Sequence, residues 1–165
     1  MKKIAVFILS ALASLSCSNA QTKEFSKETL EKKLVVADSS QVTFKEVLKK
    51  HKGKVTVIEV WASWCSDCVK AMPKVKEMQT NHPTVDYVFI SMDKAYDKWL
   101  AGVAKHELKG DHYWVTDGMK GAFGKSIDLD WIPRYIILDK NGKIVTYRAI
   151  ETDFETINAT LKTLE

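Results

Sequence analysis

The sequence is poor in several features, and each shortage excludes something. No block of five or six like charges interrupts its 165 residues, and the net charge is only +4, so nothing points to nucleic acid or another polyanion as a partner. There is no internal repeat and no low-complexity tract, and a length of 165 residues suits one folded domain, or two at most. The longest apolar run, residues 4–15, is short for a membrane span, which needs about 20 residues. The four histidines, His51, His82, His106 and His112, stand at no metal-ligand spacing from a cysteine. A structural zinc site wants four ligands, so no metal and no other cofactor is expected. Cysteine itself is scarce, with three in the chain.

The present features divide the chain. Hydrophobic residues make up 45% and charged residues 28%, enough apolar material for a sizeable core and an ordinary soluble surface. Lys2 and Lys3 followed by the apolar run and by "SNA" before Gln21 read as a signal peptide over residues 1–20. A second reading stays open: "SLSC" resembles a bacterial lipobox, which would end the signal at residue 16 and place lipid on Cys17. Removing residues 1–20 takes 25 cationic side chains to 23 against 21 acids, so +4 becomes +2. In both readings Cys65 and Cys68 are the remaining thiols. Two cysteines three apart form no disulfide framework and close too small a loop to stabilise a fold much.

Residues 21–33 are charged and weakly apolar and read as a flexible leader, with the folded domain over residues 34–165. "LVVAD" reads as a strand and "TFKEVLKKHKG" as a helix, with Thr43 and Glu46 as a capping box and Gly53 at the exit. "KVTVIEVWA" is apolar on both faces except at Glu59, the pattern of a central strand covered on both sides. Residues 65–81 read as a helix with Val69, Met72, Val75 and Met78 on one stripe and Pro73 as a kink. "VDYVFISMD" is a second buried strand. Tyr96, Trp99, Leu100 and Val103 follow at helical spacing, with Asp93 as the expected cap. "HYWV" is a short strand, and a short helix precedes "DWIP". "RYIILD" and "KIVTYRA" form a hairpin around Asn141-Gly142. The last helix has Thr152 and Glu155 as a capping box and Phe154, Ile157, Leu161 and Leu164 inward. The order predicts an α/β fold with a central mixed β-sheet flanked by helices on both faces.

The cysteine pair opens a helix. Free amides and the dipole at a helix N-terminus favour an anion, so Cys65 is expected to be the thiolate that attacks a disulfide. Cys68, one turn further in, resolves the mixed disulfide. Glu59, flanked by Val57, Ile58, Val60 and Trp61, is expected to be buried, to have a raised pKa and to exchange a proton with Cys68. Trp61 reads as core, Trp64 as packing or substrate contact, and Arg134 as solvated. Asp67 puts a negative charge beside Cys65 and opposes the helix dipole. With Ser66 it is expected to tune the couple towards a low potential.

"WASWCSDC" after a buried strand resembles the thioredoxin superfamily. Glu59 stands where thioredoxins carry a buried Asp and protein disulfide isomerases a Glu. Pro73 sits at the family's helix kink, and "WIPRYIILDKNGKI" resembles the stretch that holds its cis-proline. With the strand and helix at 34–53, the tryptophan-bearing helix at 94–106 and the export signal, the chain is most similar to exported TlpA/ResA-like thiol–disulfide oxidoreductases. The resemblance covers roughly residues 34–164. It implies a thioredoxin-like fold, a cis bond before Pro133, and substrate pairing at the Ile132 backbone. It also implies a disulfide-bearing protein substrate and a reducing electron donor of the membrane thiol transporter kind, in the periplasm. Two departures stand out. Ser66-Asp67 replaces the usual Gly-Pro or Glu-Pro, and Ala71 stands where cytochrome-maturation reductases carry a glutamate.

The function expected is thus an exported disulfide reductase. The alternative is a metal- or protein-binding chaperone on the same fold, although copper chaperones of the superfamily show CxxxC and a distal histidine. A thiol peroxidase would have Thr in place of Ala62.

Overall fold

The structure is a computed structural model that describes residues 24–165. The readings on the signal peptide, on Cys17 and on residues 21–23 lie outside the described residues. Along the chain the elements are α1 (Lys27–Leu30), β1 (Lys33–Val35), β2 (Gln41–Thr43), α2 (Phe44–Lys50), β3 (Thr56–Trp61), α3 (Ser66–Asn81) and β4 (Asp86–Ser91). They continue as α4 (Tyr96–His106), β5 (Asp111–Trp114), α5 (Ala122–Ser126), β6 (Arg134–Leu138), β7 (Ile144–Ala149) and α6 (Phe154–Leu164).

The seven strands make one mixed sheet in the order β2-β1-β5-β4-β3-β6-β7. β3 lies inside it, parallel to β4 and antiparallel to β6. All six of its residues are buried, as a strand with both faces covered requires. Helices α3, α4 and α6 share one face. Tyr87 of β4 donates to Met78 O of α3 at 3.1 Å, Trp61 of β3 packs edge-on against His106 of α4, and Lys74 of α3 lies over the Phe154 ring of α6. Helices α1, α2 and α5 are joined through Phe25, Phe44 and Phe123 and cover the opposite face, where Ile58 and Val60 are fully buried. Among the described residues no helix is long and apolar enough to cross a membrane.

Local signals account for several elements. Thr43 accepts from the Glu46 amide at 3.2 Å while Glu46 accepts from the Thr43 amide at 2.7 Å, completing the capping box. In the β6–β7 turn the Asp139 carboxylate accepts from the Asn141 and Lys143 amides, and Gly142 adopts φ +82°, a conformation open to glycine at little cost. Helix α3 continues through Pro73 to Asn81.

Three expectations are corrected. Asp93 does not cap α4, whose N-cap is Ala95 without a side-chain bond; its carboxylate turns into the protein instead. The Thr152–Glu155 box is absent: α6 starts from Asp153, whose side chain accepts from the Ile150 amide. The flexible leader does not extend over residues 24–33. Ser26 caps α1, the buried Thr29 hydroxyl donates to Ser126 O at 3.0 Å, and Phe25 meets Phe44 edge-to-face at 4.9 Å. Strand β2 also falls where no strand was expected, because its three residues carry no burial alternation and are held through pairing with β1.

Phe25 therefore tests where the fold begins. Phe25→Ala is expected to cost about 1–3 kcal/mol in a urea unfolding experiment, from lost area and lost ring contacts with Phe44 and Tyr147. An unchanged midpoint would return residues 24–33 to the leader.

Candidate active site

β3 delivers the chain to the edge of the sheet at Trp61. A tight turn follows, closed by the Cys65 amide donating to Ala62 O at 3.1 Å, and α3 starts. Cys65 is the N-cap, and its sulfur accepts from the Cys68 amide at 3.1 Å. A thiolate would be held at this place by the unpaired amides of the first helical turn. The two cysteines form a disulfide, with Cα atoms 5.3 Å apart. Cys65 retains 7% of its surface and Cys68 none, so reagents reach the first sulfur before the second.

A loop from across the site completes the opening. The Ile132–Pro133 peptide is cis, as the resemblance implies, and Ile132 O lies 3.5 Å from Cys65 Sγ. A cavity of about 380 Å³ opens beside the disulfide. Of the residues singled out in the sequence, Trp64, Cys65, Ser66, Asp67 and Ile132 line it. Trp64 is half exposed. Met119, Asp130 and Trp131 complete the lining and were missed. The available signal was "DWIP", which sets an exposed tryptophan two residues before the cis-proline. Asp67 is partly exposed, and Lys70 stands 3.6 Å from it, which screens its charge.

Glu59 does not reach the cavity. It is 1% exposed, on the face of β3 covered by α3 and α6. Its partner across β6 is Tyr135, whose ring packs on Phe154 of α6. The Tyr135 hydroxyl donates to Glu59 Oε1 at 3.4 Å, and Oε2 has no hydrogen-bond partner among the described residues. Burial pushes the Glu59 carboxyl up to about 8, against a smaller opposing effect of the Tyr135 hydrogen bond.

Arg134 corrects a reading. It is 1% exposed rather than solvated. Its guanidinium pairs with Asp130, which also binds Arg148 at 3.0 Å, while Nε and Nη1 are buried without hydrogen-bond partners among the described residues. The histidines serve packing and hydrogen bonding: His51 bonds Asp86, His82 bonds Glu165, His106 packs on Trp61 and His112 stacks on Phe89.

Asp93, expected as a helix cap, belongs to this region. It is fully buried. Its carboxylate accepts from the Ser63 amide at 3.1 and 3.2 Å, from the Ser63 hydroxyl at 2.6 Å and from the Ser91 hydroxyl at 2.8 Å.

Comparison with known proteins agrees with this geometry. The thioredoxin-like family model matches residues 53–144. The thiol-disulfide oxidoreductase ResA of Bacillus thuringiensis is 26% identical over 100 residues, which are 59% of this chain and 56% of that protein. The sporulation thiol-disulfide oxidoreductase A of Bacillus subtilis is 23% identical over 96 residues, 57% of this chain and 58% of its own. The chain spans about half the length of the curated relatives it matches. Among solved structures, a Bacteroides vulgatus protein named for thiol-disulfide oxidoreductase activity superposes with a TM-score of 0.63 at 29% identity, covering 79% of this chain and 86% of that one.

The raised Glu59 pKa has a stability consequence. Below about pH 4.5 both folded and unfolded states hold the proton. Between there and about pH 8 only the folded state does, so stability falls as pH rises through that window. Glu59→Gln removes the titration. The variant is expected to gain on the parent as pH goes from 5 to 8, by an amount on the order of a few kcal/mol. A constant difference in unfolding free energy across that range would place the Glu59 pKa near its ordinary value.

Proposed function

The chain belongs to the thioredoxin-like family, and on that footing we propose that it is an exported thiol–disulfide oxidoreductase that reduces protein disulfides through the Cys65–Cys68 couple. The observation that carries the reading is the Cys65 sulfur at the N-cap of α3, taking the Cys68 amide and facing a cavity. Cys65 attacks as a thiolate. One substrate sulfur leaves as a thiolate and takes a proton, and a mixed disulfide joins Cys65 to the other. In the fraction of molecules in which Glu59 is ionised, it takes the Cys68 proton, and the Cys68 thiolate attacks Cys65 Sγ and expels the second substrate sulfur as a thiolate. The substrate has then gained two electrons, and the protein holds the Cys65–Cys68 disulfide. A dithiol donor, of the membrane thiol transporter kind, returns the electrons.

Trp64 and the Ile132 backbone, at the cis bond to Pro133, receive the substrate strand, and Ser66 and Asp67 adjust the potential. A reducing couple, nearer about −270 mV than about −120 mV, suits this direction. Export follows from the signal peptide over residues 1–20, or from lipid on Cys17 with the signal ending at residue 16. The chaperone alternative would bind a metal or a partner without turnover. Among the described residues no three His, Cys, Asp or Glu side chains are gathered as a metal site.

Reduction of insulin with a dithiol as electron source tests the activity. The parent is expected to accelerate it, Cys65→Ser to abolish it, and Cys68→Ser to accumulate mixed disulfides because attack survives and resolution does not. Glu59→Gln should slow turnover near pH 7 with the fold intact. Turnover by Cys65→Ser at the parent rate would sink the proposed roles.

A further inference from the structure

The charges around the Cys65 sulfur are not equally compensated. Asp67 has Lys70. Asp130 has Arg134 and Arg148. Glu59 lies beneath, with its carboxyl pushed towards the protonated form by burial. Asp93 differs from all three. It is wholly buried, no cation stands within ion-pair distance of it among the described residues, and its carboxylate is held by neutral donors alone, the Ser63 amide and hydroxyl and the Ser91 hydroxyl. Neutral hydrogen bonds satisfy a buried carboxylate without cancelling its field, and a weakly polarisable interior screens that field poorly.

Asp93 is also tied to the turn that presents the nucleophile. Ser63 precedes Cys65 by two residues, a span of at most about 7 Å between Cα atoms. The turn has no slack on its other side, because a Cβ on Gly102 of α4 would lie 2.7 Å from Ser63 Cβ. Asp93 is itself held in place: its amide donates to Ser91 Oγ at 3.0 Å, and its carbonyl accepts from the Trp114 indole at 2.7 Å. The aspartate, the serine and the glycine therefore clamp the segment between β3 and the N-cap of α3 from two sides.

We propose that Asp93 is a positioning and redox-tuning residue: through Ser63 it fixes the turn that presents Cys65, and its uncompensated carboxylate disfavours the Cys65 thiolate and so lowers the potential of the couple. The proposal rests on the reading of Cys65–Cys68 as a redox couple. It moves the main tuning charge from Asp67, on the surface and screened, to a residue 28 positions from Cys65 in sequence. The sign is fixed by linkage. A negative charge near Cys65 raises the energy of the thiolate and leaves the neutral thiol and the disulfide nearly untouched. The reduced form is then less favoured at every pH at which the thiolate is populated.

The test measures two quantities on the full chain: the pH profile of Cys65 alkylation by iodoacetamide, and the potential against glutathione buffers from pH 6 to 9. Asp93→Asn keeps the shape and removes the charge. Below the thiol pKa it is expected to alkylate about tenfold faster than the parent. Its potential should rise increasingly with pH, towards about 30 mV above the thiol pKa, the equivalent of a tenfold change for two electrons. Ser63→Ala and Ser91→Ala keep the charge and each remove one donor that moderates it, so both should alkylate about twofold more slowly. Only Ser63 is in the turn, so Ser91→Ala leaves the Ser63–Asp93 bonds in place, although it also removes the acceptor of the Asp93 amide, and it decides the question by the sign of its effect if Asp93→Asn does not fold. Parent-like rates and potentials in Asp93→Asn and Ser91→Ala overturn the proposal. So does acceleration in all three variants, which is the mark of a loosened turn. A parent without any reversible two-electron couple would instead sink the functional reading, before the variants are compared.

Discussion

One hydrogen bond sets the terms for the rest: the amide of Cys68 pointing at the sulfur of Cys65. It exists because α3 starts at that sulfur, so the first turn of the helix has no backbone carbonyl to satisfy its amides. Everything around it keeps that start in place. β3, buried on both faces, brings the chain to the sheet edge in a fixed direction. The Ala62–Cys65 turn reverses it within a few residues. The Ile132–Pro133 loop closes over the sulfur from the side. The sheet is thus less a container for the site than the reference frame for one atom.

The same frame separates two kinds of acid. Glu59 is buried without a cation or a second hydrogen bond and so has a raised pKa. Asp93 is equally buried but surrounded by donors on both oxygens. Burial alone does not decide what a carboxylate does; the donors that come with burial do. Glu59 stands in β3 and Asp93 two residues past the end of β4, so two neighbouring parallel strands place both acids.

Most of the framework was legible in the sequence because its signals are local or periodic. The both-faced apolar run around Glu59, the Thr43–Glu46 box and Asn141-Gly142 each act within a few residues of where they are read. The cysteine pair at the start of a helix and the burial of Glu59 were legible for the same reason, while the cis bond before Pro133 was implied by the family resemblance. What escaped depends on partners far away in sequence. Asp93 looks like a helix cap until Ser63 competes for its carboxylate. Arg134 looks solvated until Asp130 folds over it. Phe25 looks like part of a leader until the Phe44 ring is beside it. Met119 and Trp131 joined the cavity through loops whose positions no periodicity encodes.

Asp130 faces two ways. It forms part of the rim of the opening beside Cys65, and it is also the only anion paired with the buried guanidinium of Arg134 among the described residues. A buried cation that loses its counter-ion is costly, so this side of the rim is held by the demands of the interior. Trp64 and Trp131, both half exposed, carry no such obligation, whereas Met119 packs against the core. A diverging lineage has two exchangeable positions around the disulfide and one fixed corner, and the shape of the opening would vary about that corner.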